Sequence, residues 1–227
     1  GGSSQVKQRY IKSISIFLTL LAAGPALALE LEITRVTDRV YSAIGATAPP
    51  SYANAGHNNN LSFVIGDSGV AVINGGDNYL LAQALHRAIR VRTALPVRWV
   101  INENGQGHAC LGNGYWREQG AVIMAHREAV AEVHHGGERS LRQMRERNRE
   151  KALGTEIAVP EMALGDNTTL YLGDTVLEIK RFGPAHSPGD VSVWLPAEQV
   201  LIAGDIAFHQ RLLGIFPDTD VAGWISS

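Results

Sequence analysis

The sequence has a single cysteine, Cys110. An intramolecular disulfide is therefore excluded, and an oxidising compartment would give this chain no covalent staple. Neither sign of charge dominates: 20 basic residues stand against 22 acidic ones, with no basic stripe of the kind that binds nucleic acid. Long apolar runs are also missing. The longest candidate, from Ile14 to Ala23, falls well short of the ~20 residues a membrane-spanning helix needs. What remains is an ordinary composition, 45% hydrophobic over 227 residues, enough for one good core and too short for two domains.

The first residues read as addressing rather than structure. Gly1 to Ser4 look like a tag remnant, Lys7, Arg9 and Lys12 make a basic start, and the apolar stretch leads to Ala26-Leu27-Ala28. That is the pattern of a secretory signal peptide cleaved after Ala28, and it predicts a periplasmic or secreted protein whose single domain spans residues 29–227.

The stretch from Val97 to Asn113 organises the rest. Val97, Trp99, Val100 and Ile101 form a short apolar run opened by Pro96, which predicts a buried strand. A loop follows in which Gly105, Gly107 and Gly112 permit tight turns, while Asn104, Gln106 and His108 alternate and so can face one way. Polar side chains in a glycine-punctuated loop at a strand end are a site-like arrangement. Cys110, beside that loop, is read as a small buried residue, because the nucleophile reading requires a nearby base and an activated thiolate that the sequence does not show.

Around it, Leu31 to Tyr41 predicts a first strand, and Ser62 to Ile73 a hairpin turning on Gly66-Asp67-Ser68-Gly69. Asp77 is the expected N-cap of a helix through Arg92 whose buried face carries Leu81, Ala84, Leu85 and Ile89. His86 falls on the other face and is read as a solvated surface residue. Ala121 to Met124 predicts another strand. A charged helical region from Arg127 to Leu153 is expected to break at His134-His135-Gly136-Gly137. Its histidines, with His126, are weighed as metal ligands and read instead as residues without a ligand role. Strands are expected at Thr168–Leu172, Thr175–Phe182, Val191–Leu195 and Val200–Ala203, and a short helix capped by Asp218 or Asp220 comes last.

With these pieces in order, the chain resembles the metallo-β-lactamase superfamily, and within it the exported zinc hydrolases of the quinoprotein relay type. The resemblance rests on Val100-Ile101-Asn102 followed by Gly112-Asn113, on Gly183-Pro184-Ala185-His186-Ser187-Pro188-Gly189-Asp190, on Leu201-Ile202-Ala203-Gly204-Asp205, and on the opening hairpin from Phe63 to Gly76. It implies an α/β fold, a four-layer αββα sandwich with the site at one edge of two sheets. Compared with the family, the chain stops before the last strand, helix and metal-binding histidine, so a C-terminally incomplete sandwich is expected, with either a homo-oligomer covering the uncovered face or the chain being a fragment of a longer protein.

The departures from the family motif are informative. With Gly112-Asn113 fixing the register, the two histidines of His-x-His-x-Asp-His fall on Asn104 and Gln106, the aspartate on His108 and the last histidine on Ala109. Asn74 stands where the family carries an aspartate that orients a ligand. The resemblance therefore implies at most one metal ion, zinc, held by His108, His186 and Asp205. His108 and Asp205 would be the catalytic groups and Asn104, Gln106 and Asn113 would bind a small-molecule substrate. His209 is a further candidate ligand. Three readings stand at this point: a metal-dependent hydrolase with a remodelled mononuclear site, a pseudoenzyme serving as a periplasmic binding or assembly module, and metal-free hydrolysis with His108 or His186 as general base.

Overall fold

A computed structural model describes residues 28–227; the tag remnant, and all of the leader except Ala28, lie outside them. A large sheet is built from β1 (Thr34–Arg35), β2 (Val40–Ala43), β3 (Leu61–Ile65), β4 (Val70–Ile73), β5 (Val97–Asn102), β6 (Val122–His126) and β7 (Met162–Leu164), adjacent in that order. Its first four strands are antiparallel, and β4 to β7 run parallel, as their crossover connections demand. A smaller antiparallel sheet holds β8 (Asn167–Leu172), β9 (Thr175–Lys180), β10 (Ser192–Leu195) and β11 (Val200–Ile202), in the order β11-β10-β9-β8.

The helices are α1 (Tyr79–Arg92), α2 (Gly107–Cys110), α3 (Asn113–Glu118), α4 (Arg127–Asn148) and α5 (Val221–Ser226). Helices α1 and α3 cover one face of the large sheet, where Leu81, Leu85, Ile89 and Trp116 pack on Phe63, Val72 and Val100. The other face meets the smaller sheet: Val64, Ile73, Ile101 and Met124 bury against Leu177, Ile179, Val191 and Val193. Alternation in β9 follows from that contact, with Thr175, Leu177 and Ile179 inward and Val176, Glu178 and Lys180 half-buried on the other side. The two-sheet α/β sandwich read from the sequence is thus present. Among the described residues no helix is long and apolar enough to cross a membrane.

Four local expectations are corrected. The stretch from Leu31 to Tyr41 is not one strand but part of a tight hairpin, because the Thr37 hydroxyl accepts from the Arg39 and Val40 amides and turns the chain. Asp77 does not cap α1. Asn78 does, accepting from the Leu81 amide, while Asp77 is buried under Arg147 and Asn148. Helix α4 runs unbroken through Gly136 and Gly137, since Gly137 is where Ile157 packs closely; an added Cβ would stand 3.1 Å from its side chain. His86 is half-buried rather than solvated, bonded to the Tyr115 hydroxyl at 2.7 Å and packed on Trp116.

Candidate metal and substrate site

The parallel strands set the site. Strand β5 ends at Asn102, where its ladder with β4 and β6 runs out, and the next residue, Glu103, emerges between the two sheets. Its backbone is fixed on both sides. The Glu103 amide donates to the Asn74 side chain at 3.0 Å, and its carbonyl accepts from the Val191 amide at 2.8 Å, which ties the large sheet to the start of β10. Asn74 holds a left-handed backbone, φ 71°, that asparagine tolerates better than most residues. The loop then closes into the single turn α2, whose first turn carries His108.

Three donor atoms converge there. His108 Nε2 lies 3.0 Å from Glu103 Oε1 and 3.2 Å from Asp205 Oδ2, and among the described residues these three form the cluster able to hold a metal ion. His186 adds a fourth group, its Nε2 3.4 Å from the same Asp205 oxygen. Its Nδ1 faces the Gly214 carbonyl at 2.8 Å, which leaves Nε2 facing the cluster. Thus His108, His186 and Asp205, read as one set from the sequence, lie together. Glu103, directly before Asn104, joins them.

The amides surround this cluster. Asn104 donates from one nitrogen to Asp190 and to Asp205, 3.1 Å each, and its oxygen accepts from the Gln106 amide. Gln106 Oε1 lies 3.1 Å from His186 Nε2. Asn113, by contrast, is not at the cleft. It is fully buried, exchanges hydrogen bonds with Asn102 and donates to the Ala158 carbonyl, so its carboxamide holds the turn rather than a substrate. Ala109 is buried, and its carbonyl accepts from Gly75. His209 is exposed and outside the cluster. His126 caps α4 and pairs with Asp166, while His134 and His135 are exposed. Cys110 is buried, and burial pushes its thiol up to about 12, which removes it as a nucleophile.

Charge explains the cluster's preference. Burial disfavours a charged imidazole at His108, yet Asp205 and Glu103 outweigh it and hold its pKa well above the usual histidine range. Burial and the nearby Asp205 raise Glu103, whereas His108 and His186 overcome burial and keep Asp205 low. Two carboxylates therefore crowd the His108 imidazole, an arrangement that favours positive charge between them. Glu132, which accepts from the Gly105 amide at 3.0 Å, lies just behind the loop, and burial pushes it up to about 7.

A stability prediction follows from Glu132. Its folded pKa is raised above the value of about 4.5 for the free side chain, so folding takes up a proton between those values and stability falls as pH rises from about 4.5 to about 7. Glu132→Gln keeps an acceptor for Gly105 without the buried charge. It should raise the melting temperature at pH ~8, by up to roughly 3 kcal/mol in stability, with the gain vanishing near pH ~4. Melting curves across that range check this, and an equal gain at both ends would refute it.

Comparison with known proteins agrees with this architecture. The family model for the metallo-beta-lactamase superfamily matches residues 109–225, starting directly after the Glu103–His108 segment. A metallo-beta-lactamase type 2 from Bacteroides fragilis is 23% identical over 208 residues, covering 86% of this chain and 71% of that protein. Among solved structures, a metallo-beta-lactamase from Pontibacter korlensis superposes with a TM-score of 0.67 at 18% identity, over 86% of this chain and 81% of the other. The DIM-1 metallo-beta-lactamase, in a structure exposed to ceftazidime, gives 0.65 at 15% identity over 87% and 80%. At such identities the structural likeness concerns the fold.

Proposed function

Because this chain belongs to the metallo-β-lactamase superfamily, we propose that it is a metal-dependent hydrolase with one zinc ion held by Glu103, His108, His186 and Asp205. The observation that carries this is the spacing of the donors. Four ligands about 2.0–2.1 Å from a tetrahedral ion stand roughly 3.3–3.4 Å from one another. Among Glu103, His108 and Asp205, whose donor atoms all lie within 4.8 Å of one another, the separations at His108 are 3.0 and 3.2 Å; His186 stands outside that mutual spacing and approaches through Asp205 at 3.4 Å, and two imidazoles with two carboxylates are a donor set that zinc accepts. The site differs from the family's two-metal centre in every ligand of the first motif, and Glu103 replaces what Asn104 and Gln106 no longer offer.

Zinc in such a site supplies Lewis-acid polarisation and a nucleophile near neutral pH. The chain's own residues prepare for it. The Gly214 carbonyl orients His186, Asn104 aims the Asp205 carboxylate, and Asn74 with Val191 fixes Glu103 through its backbone. The cleft in front, about 310 Å³, is lined by Gln106, Ser140, Gln143, Arg147, Phe208 and Phe216 as well as His108, His186 and Asp205, a size suited to a small molecule. The leader pattern supports an exported, periplasmic or secreted protein. Exposed Leu212, Ile215, Phe216 and Ile225 support association between copies.

A second reading is favoured by one specific feature. Gln106 and Asn104 already bond His186 and Asp205 in a network without an ion, as a binding module descended from a hydrolase would. Elemental analysis of protein purified without added metal separates the two. The hydrolase reading expects about one zinc per chain, lost in His186→Ala; no metal in the parent leaves the binding module.

A further inference from the structure

Three asparagines around the cluster are followed by glycine, in Asn74-Gly75, Asn104-Gly105 and Asn113-Gly114. In such a pair the glycine nitrogen, unshielded by a side chain, can attack the carboxamide carbon before it and expel ammonia. Two things limit that attack: the amide proton must leave the nitrogen, and charge must build up on the carboxamide oxygen.

One of the three pairs is equipped for both. The Gly105 amide donates to Glu132 Oε2 at 3.0 Å, and burial pushes that carboxyl up to about 7, where a base is most useful at neutral pH. The close approach depends on glycine, since an added Cβ at Gly105 would stand 2.4 Å from Glu132 Cβ. Asn104 Oδ1 accepts from the Gln106 amide at 3.0 Å, a turn that folds the carboxamide back over the Gly105 peptide and supplies a donor to the oxygen on which charge gathers. Asn104 Nδ2, the nitrogen to be expelled, lies 3.1 Å from both Asp190 Oδ1 and Asp205 Oδ2. By contrast, Gly75 donates to the Ala109 carbonyl at 2.7 Å, Gly114 lies within α3, and among the described residues no carboxylate accepts from either amide.

We propose that Asn104-Gly105 is a self-processing site, at which Glu132 draws the proton from the Gly105 nitrogen and Asn104 closes to a succinimide. The bond from that nitrogen to Asn104 Cγ forms, the Cγ–Nδ2 bond breaks, and ammonia leaves. The proton taken up by Glu132 is matched by the one the departing nitrogen acquires, so the carboxylate is regenerated. Water reaches the ring from the side of Asp205, which lines the cleft. It adds to one of the two ring carbonyls and breaks that carbon's bond to nitrogen, which regains a proton. A carboxylate remains at position 104, as aspartate or, where the main chain is rerouted through the side-chain carbon, as isoaspartate. One water is consumed and one ammonia released. The change is one-way: a donor to Asp190 and Asp205 becomes a further negative charge beside them. It goes beyond the hydrolase reading and requires no metal.

The test uses the full chain, stripped of metal by a chelator so that the outcome is independent of zinc, kept folded and warm at neutral pH and sampled by peptide mass spectrometry over days. Asn104 should pass through a succinimide, seen as loss of ammonia, and should convert roughly tenfold or more faster than Asn74 and Asn113 in the same molecules. Glu132→Gln, which keeps an acceptor for Gly105 but is no base, should slow Asn104 on the order of a hundredfold and leave the other two sites unchanged. In denaturant the lead of Asn104 should vanish. Conversion of Asn104 no faster than that of the other two, an unchanged rate in Glu132→Gln, aspartate formed without a succinimide, or a lead that persists in denaturant overturns the proposal.

Discussion

Replacing Glu103 with glutamine should weaken zinc binding on the order of a hundredfold, read by competition with a chromophoric chelator. The size follows from what the carboxylate contributes. It lies 3.0 Å from His108 Nε2, is almost wholly buried, and supplies one of the two carboxylates that, among the described residues, the proposed cluster contains, the other being Asp205. A neutral amide oxygen of the same shape binds zinc feebly. The fold should survive, because Asn74 and Val191 hold Glu103 by its backbone, which glutamine keeps. Unchanged affinity would remove Glu103 from the ligand set and return the site to the three residues His108, His186 and Asp205.

The second large effect concerns Trp116→Ala, expected to cost about 3–5 kcal/mol. Trp116 is fully buried between α3, α1 and the large sheet, and its indole N–H donates to the Gly75 carbonyl at 2.9 Å. Alanine leaves both a cavity and an unpaired buried carbonyl. The damage would reach the site as well, since the Gly75 amide donates to Ala109 at 2.7 Å and an added Cβ at Gly75 would stand 2.5 Å from Asn113 Oδ1. The turn that carries His108 is packed on that glycine. Denaturant unfolding measures the loss, and a cost below about 1 kcal/mol would show that the site loop does not depend on this packing.

Much of this was legible in the residues. The apolar run at Val97–Ile101 gave a central strand, and the convergence of His108, His186 and Asp205 follows from two parallel-sheet and hairpin strands ending at one edge. Glu103 was harder to see as a ligand. It precedes the loop register that Gly112-Asn113 sets, and only its position directly after the last buried residue of β5 signals that it points between the sheets. Asn113 misled in the opposite direction: a polar residue in a glycine-rich loop suggests a site, but its pairing with Asn102 needs a contact eleven residues apart that no periodicity reveals. Gly136-Gly137 suggested a helix break because intrinsic propensity argues for one, whereas close packing against Ile157 makes glycine the residue that fits.

Diffraction from crystals grown with zinc, recorded on both sides of the zinc absorption edge, tests the central claim most directly. A single anomalous peak bonded to Glu103, His108, His186 and Asp205, with Asn104 and Gln106 outside the coordination sphere, is the expected result. A peak held elsewhere, or none at the cluster while the same four side chains keep their hydrogen bonds to one another, would contradict it.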